Sequence, residues 1–149
     1  MATRTISSPS ASFRFLTTAQ VLRLHSRYIN PSQPAVQPAL LDSATHAPVN
    51  TLYFGSANQH NVFYLAANLA QKLMLNHPFQ DGNKRTSLLT ARVFLRINGY
   101  QMKPMEDGPE VKGNGTMKLE DAIVGTVTKR LDVGMLKEYF EAISEVVEK

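Results

Sequence analysis

Nine consecutive residues, His77-Pro78-Phe79-Gln80-Asp81-Gly82-Asn83-Lys84-Arg85, place a titratable base, a carboxylate, a glycine, an amide and two cations between two apolar stretches. Where such a run enters a helix, the helix N-terminus offers unpaired N–H groups and the positive end of the dipole, a combination that binds phosphate. Gly82 permits a sharp bend and a close approach of backbone to ligand. Asn83 is suited to cap the following helix and to donate its amide to an anion. Lys84 and Arg85 add positive charge, the arginine as a planar fork matched to phosphate oxygens. Asp81 offers a hard oxygen of the kind that holds Mg2+ together with substrate phosphates. His77 is the only nearby side chain that ordinarily titrates near neutrality, as a general base must. These types together point to attack of a hydroxyl on a nucleotide phosphate, with His77 taking the proton. The plain structural alternative is an elbow between helices, with Asp-Gly as its turn and Asn as its N-cap.

The flanking elements must hold that run in place. Asn58 to Asn76 reads as a long helix, because Val62, Leu65, Ala66, Leu69 and Leu73 follow the spacing of one buried face. It delivers His77 at its C-terminal end. Lys84 to Asn98 reads as the next helix, apolar nearly all round, and is expected to be the central buried one, stopped by Gly99. Leu16 to Ile29 is a first helix capped by Thr17 or Thr18, with Val21, Leu24, His25 and Tyr28 on one face. His25 reads as an ordinary helix-face residue. Ser32 to Pro38 is a proline-rich connector. Ala39 to His46 reads as a short helix stopped before Pro48. Val49 to Ser56 is β-prone and closed by Gly55, so a small strand-like flap is expected there. Gln101 to Met117, with its prolines, glycines and acids, reads as a mobile loop. Lys118 to Leu131 and Met135 to Val147 read as two closing helices.

The chain of 149 residues is long enough for one domain with a core, and 43% hydrophobic content is that of a globular protein. Residues 1–14 are expected to be disordered and 15–149 to form the single domain. Cysteine is absent, which excludes disulfides. No apolar run has the length of a membrane span, so no membrane role and a cytoplasmic location are expected. Charge is split: ten of the 16 Lys/Arg but only two of the 12 acids precede Pro104. The basic part contains the nine-residue run, which suits an anionic ligand. The cations are spaced out with no aromatic platform between them, so nucleic acid is not an expected partner.

The run resembles the signature of the Fic/Doc family, His-x-Phe-x-Asp/Glu-Gly/Ala-Asn-Lys/Gly-Arg. The resemblance extends from about Phe15 to Tyr100, with Phe54-Gly55 upstream and Phe94-Leu95-x-x-Asn98-Gly99-Tyr100 downstream. It implies an all-α fold: a helical bundle around a central buried helix, with the small flap (Leu52, Tyr53, Phe54, Gly55) holding a target chain by strand addition. It also implies an ATP- and Mg2+-dependent enzyme that modifies a protein hydroxyl. His77 would be the catalytic base, Asp81 the metal ligand, and Gly82, Asn83, Lys84 and Arg85 the phosphate cradle.

Two positions bear on which group moves. Lys84 stands where adenylylating members usually carry Gly, and Leu88 where they usually carry a second arginine for the far phosphates. Both resemble the Doc branch, which implies a kinase-like transfer of the terminal phosphate. Gly82 stands where Doc carries Ala, which keeps adenylylation (AMPylation) open as the alternative. A catalytically silent protein-binding module is the third reading. Every glutamate lies after residue 105, which excludes an inhibitory glutamate helix before the run. The Doc resemblance implies instead a toxin-like protein with a separate inhibitory protein partner, and a target in the translation machinery.

Overall fold

The computed structural model describes residues 13–32 and 37–147. The order is α1 (Thr18–Leu24), a π-helical turn (His25–Ile29), α2 (Pro38–Phe54), a 3-10 turn (Ala57–Gln59), α3 (Val62–Asn76) and α4 (Asn83–Ile97). There follow β1 (Tyr100–Met102), β2 (Glu110–Val111), β3 (Gly115–Thr116), α5 (Leu119–Val127), α6 (Val133–Ala142) and β4 (Ser144–Val146). The fold is all-α, with strands of only two or three residues. No helix among the described residues is long and apolar enough to cross a membrane.

The spine is α3, with α2, α4, α5 and α6 packed around it. Nine of its 15 residues are buried, among them Leu65, Ala66, Leu69 and Leu73. The expectation of α4 as the central helix is therefore corrected. Its inward face is Thr86, Ser87, Thr90, Ala91, Phe94 and Leu95, while Lys84, Arg85, Arg92 and Arg96 are exposed. Leu88, Leu89 and Val93, which suggested burial all round, are only half-buried. Small hydroxyl residues let two helices approach closely and can bond back to a carbonyl. Ser87 does so across the interface, Oγ donating to the Ala70 carbonyl at 3.0 Å.

The expected short helix and strand-like flap are one helix instead. α2 runs unbroken from Pro38 through Pro48 to Phe54. An interior proline loses one helical hydrogen bond and costs about 3 kcal/mol. Burial against α3 offsets that: Leu41, Ala44, Thr45, Pro48 and Leu52 form one continuous inward face across the proline. Leu52, Tyr53 and Phe54 are thus its last turn, and Gly55 its C-cap.

The expected mobile loop after Gly99 is also corrected. β1 pairs antiparallel with β4, Tyr100 opposite Val146, and β2 pairs with β3 in a small hairpin. The last helix consequently ends at Ala142, and the chain beyond it is β4. Of the expected disordered start, residues 1–12 lie outside those described. Phe13 packs on the core, and Arg14 exchanges hydrogen bonds with Asn98 at 2.8 and 2.9 Å.

Three helices carry side-chain caps. Thr17 caps α1 in a reciprocal box with Gln20, Asn61 accepts from the Phe63 and Tyr64 amides, and Asp132 accepts from the Met135 amide. α4 begins on Gly82 with none.

Tyr139 ties α6 to the β-hairpin, its hydroxyl donating to the Met117 carbonyl at 2.7 Å. Burial, then the charges of Glu120 and Asp121, push its phenol up to about 12. The unfolded chain, with a phenol near 10.0, loses the proton first. Stability from this group is therefore complete below about pH 10 and lost toward pH 12. Tyr139→Phe should cost about 1 kcal/mol at neutral pH. In urea titrations it should also lose less stability than the wild type between about pH 9 and pH 12.

Candidate active site

The nine-residue run is the elbow between α3 and α4. His77 caps α3 in the left-handed conformation, φ 50° and ψ 53°, its amide still bonded to the Leu73 carbonyl at 3.2 Å. A left-handed non-glycine residue is uncommon and strained by about 1 kcal/mol or more. The strain turns the chain sharply off the helix and leaves the histidine exposed. Pro78 and Phe79 turn inward and are buried.

Asn83 holds the loop closed. Its Oδ1 accepts from the Phe79 amide at 3.0 Å and its Nδ2 donates to the Phe79 carbonyl at 2.7 Å, both buried. The structure thereby corrects the expectation that Asn83 caps α4 and donates its amide to an anion. Gly82 is the N-cap, Asn83 is the first helical residue, and its amide is occupied inside the elbow. What Asn83 leaves outward is its backbone N–H.

The outward face carries the remaining groups. The first α-helical bond of α4 runs from the Thr86 amide to the Gly82 carbonyl, 2.8 Å, so the preceding N–H groups have no partner within the helix. The first turn contains no acid. Asp81, Lys84 and Arg85 are exposed, and none takes part in a salt bridge among the described residues. Asp81 Oδ2 accepts from Asn30 Nδ2 at a long 3.4 Å, leaving Oδ1 outside the hydrogen-bond pattern. No cluster of three or more potential metal ligands occurs among the described residues. A single carboxylate beside a phosphate cradle is the donor set Mg2+ accepts, since Mg2+ takes its other ligands from phosphates and water.

His77, Asp81, Gly82, Asn83, Lys84 and Arg85 are thus brought together, and the expected flap is not. The N-terminal end of α2 is tied to the elbow: Asn76 Nδ2 donates to the Leu40 carbonyl at 2.9 Å, and the Gln37 amide to the Pro78 carbonyl at 3.1 Å. From Leu40 to Phe54 a helix advances about 21 Å. Leu52, Tyr53, Phe54 and Gly55 therefore sit at the far end of α2, where Phe54 is 87% and Tyr53 49% exposed. A cavity of about 600 Å³ also lies elsewhere, between α5 and the β-hairpin, lined in part by Asn114, Lys118, Asp121 and Arg130. Volume and reactive groups point to different places, and the groups decide, because an open helix N-terminus binds an anion without a deep pocket.

Sequence reasoning missed the support that the first helix lends. His25 is fully buried, stacked on Phe79 with ring centroids 3.8 Å apart and planes 4° apart, its Nε2 3.0 Å from the Asp81 carbonyl. A histidine inside a core must find a polar partner, and that requirement was the available signal. The π turn adds a residue to the helical period, which throws Tyr28 off the inward face; it is 64% exposed.

Residues 15–95, more than half of the chain, match the Fic/DOC family. With the elbow and the helical bundle in place, the chain belongs to that family. Among characterised proteins it is similar to the Toxin Doc of Mycolicibacterium smegmatis, 44% identical over 63 residues. The similarity takes in 42% of this chain and about half, 48%, of that protein.

Two substitutions test the elbow. Asn83→Ala leaves the buried Phe79 amide and carbonyl without partners and should lower stability by about 2–4 kcal/mol, read from the urea midpoint. At Gly82, φ is +81° and an added Cβ would lie 2.4 Å from Ile29 Cγ2. Gly82→Ala should therefore cost about 1–3 kcal/mol. Ile29→Ala in the same chain should recover more than the two separate losses predict, the coupling a double-mutant cycle measures.

Proposed function

We propose that this chain transfers the terminal phosphate of ATP to a protein hydroxyl and releases ADP. The observation that carries the reading is the elbow's outward face: an exposed left-handed His77 beside an uncapped helix N-terminus, with Asp81, Lys84 and Arg85 free of ion pairs among the described residues. The backbone N–H groups of Gly82 and Asn83 and the charges of Lys84 and Arg85 cradle the phosphates. Asp81 would hold Mg2+ together with phosphate oxygens. When bound, that ion offsets charge on the phosphates.

His77 takes the proton of the incoming hydroxyl. The hydroxyl oxygen bonds to the γ-phosphorus as the bridging P–O bond to the β-phosphate breaks. The chain contributes mainly positioning and charge neutralisation, as phosphoryl transfer requires. Leu88 lies half-buried and uncharged one turn into α4, so it offers nothing to hold a departing pyrophosphate. That supports phosphate transfer. Gly82, where the Doc branch has Ala, is the observation that favours AMP transfer as a second reading.

The similar protein is named a toxin. By extension the chain would act on a protein target, in the translation machinery if it follows the Doc branch, and be restrained by a separate protein. ATP as phosphate donor supports a cytoplasmic site of action.

The decisive measurement is incubation of a lysate with ATP labelled at either the α or the γ phosphate. Label from γ alone is expected on a protein band. Label from α would replace phosphate with AMP transfer, and label from neither would overturn the transferase reading. His77→Ala should lower the rate by about 10²–10⁴, the usual share of a general base. Its melting temperature should hardly move, because the exposed imidazole makes no hydrogen bond among the described residues.

A further inference from the structure

The π turn at the end of α1 touches the elbow at four points. The His25 ring lies flat on Phe79. His25 Nε2 meets the Asp81 carbonyl at 3.0 Å. Asn30 Nδ2 reaches the Asp81 carboxylate at 3.4 Å. Ile29 Cγ2 occupies the space beside Gly82 where a Cβ would stand. A carbonyl oxygen only accepts, so the His25 contact is a hydrogen bond when the ring proton is on Nε2. Nδ1 is buried with no partner among the described residues, so the ring is committed through one N–H and one stacked face.

The direction of that bond matters more than its strength. In a trans peptide the carbonyl and the following N–H point in opposite directions. With the Asp81 carbonyl drawn inward to His25, the Gly82 N–H is turned away from the core. Gly82 is left-handed, φ 81° and ψ 21°, and Asn83 begins the helix. In such a turn successive N–H groups converge on one concavity, which is an anion-binding arrangement. The Gly82 N–H makes no hydrogen bond within the described residues.

We propose that His25 is a positioning residue: through its Nε2–H it holds the Asp81–Gly82 peptide in the orientation that aims the Gly82 N–H, and with it the Asp81 carboxylate, at the phosphates of ATP. This rests on the reading of the elbow as a phosphate site. Phe79 acts as the flat surface that fixes the plane of the imidazole. The π turn is what makes the contact possible, because a regular α-helix would place the following residues, Ile29 and Asn30, on other bearings.

The test uses the full chain, MgATP as probe and two variants. His25→Phe keeps a flat ring against Phe79 and deletes the donor. His25→Gln keeps an N–H at similar reach and loses the ring. Nitrogen–proton correlation spectra of the wild-type imidazole should place the His25 proton on Nε2; a proton on Nδ1 alone would overturn the proposal without any variant being made. In His25→Phe the Gly82 amide and Cα resonances should leave their left-handed positions, and MgATP binding by calorimetry should weaken about tenfold or more, as for a lost hydrogen bond to a charged group. His25→Gln should recover most of that loss.

A His25→Phe chain with unmoved Gly82 resonances and unchanged affinity would reduce His25 to a core residue while leaving the phosphate site intact. A wild-type chain that binds no MgATP would instead overturn the nucleotide reading, and the clamp's purpose with it.

Discussion

Two hydrogen bonds, one that the Asn83 side chain accepts from the Phe79 amide and one that it donates to the Phe79 carbonyl, hold together the elbow on which every outward group depends. They form a closed ring across four residues at the base of the turn. Both are buried, so they compete with no water, and loss of the Asn83 side chain would leave the Phe79 amide and carbonyl without partners. Because Asn83 is also the first residue of α4, the ring fixes the helix start relative to the loop that precedes it. Phe79, held by its backbone, places its ring in the core, where His25 stacks on it. The inward residues of the run are thus Pro78, Phe79 and Asn83. The outward ones are His77, Asp81, Lys84 and Arg85. The alternation is set by the ring and not by the chemistry of the outward groups.

The electrostatics follow from the same geometry. An uncapped helix N-terminus is ordinarily satisfied by Ser, Thr, Asp or Asn, as at α1, α3 and α6. At α4 the available asparagine is turned inward and the cap position is glycine. The N–H groups of the first turn therefore face solvent with Lys84 and Arg85 beside them and no acid in the turn. Two cations at the positive end of a dipole repel one another and the helix. That arrangement destabilises the empty protein and favours an anion by the same free energy. Asp81 is the single opposite charge in the run, exposed just before the helix.

The elbow was legible because its information is local. Residue types at fixed spacing specify the turn, the glycine and the asparagine, and the periodicity of Val62 to Leu73 specifies the helix that leads into it. What was not legible depends on contacts distant in sequence. Asn83 was expected to cap α4 because Asn is a good cap; the choice between capping and bonding Phe79 is made by the buried loop. α2 was expected to stop at Pro48, yet Leu41, Ala44, Thr45, Pro48 and Leu52 keep one face across it. Following that period would have overruled the proline. The central helix was sought by counting large aliphatic residues, which favoured α4. Alanines at positions 66, 67 and 70 make α3 the more closely surrounded one. The strands at Tyr100–Met102 and Ser144–Val146 pair across more than forty residues, and neither partner reads as a strand alone.

Four departures from local rules meet at the elbow. His77 is left-handed without being glycine, α4 lacks a side-chain cap, α1 ends in a π turn, and the His25 Nδ1 is buried without a partner. Each is unfavourable by itself, on the order of 1 kcal/mol or more. All four lie at the elbow or at the turn packed against it, whereas left-handed Lys129, Pro48 inside α2 and the uncapped starts of α2 and α5 lie elsewhere. The surrounding α2–α3–α6 packing is what allows a small protein to keep the four at the elbow.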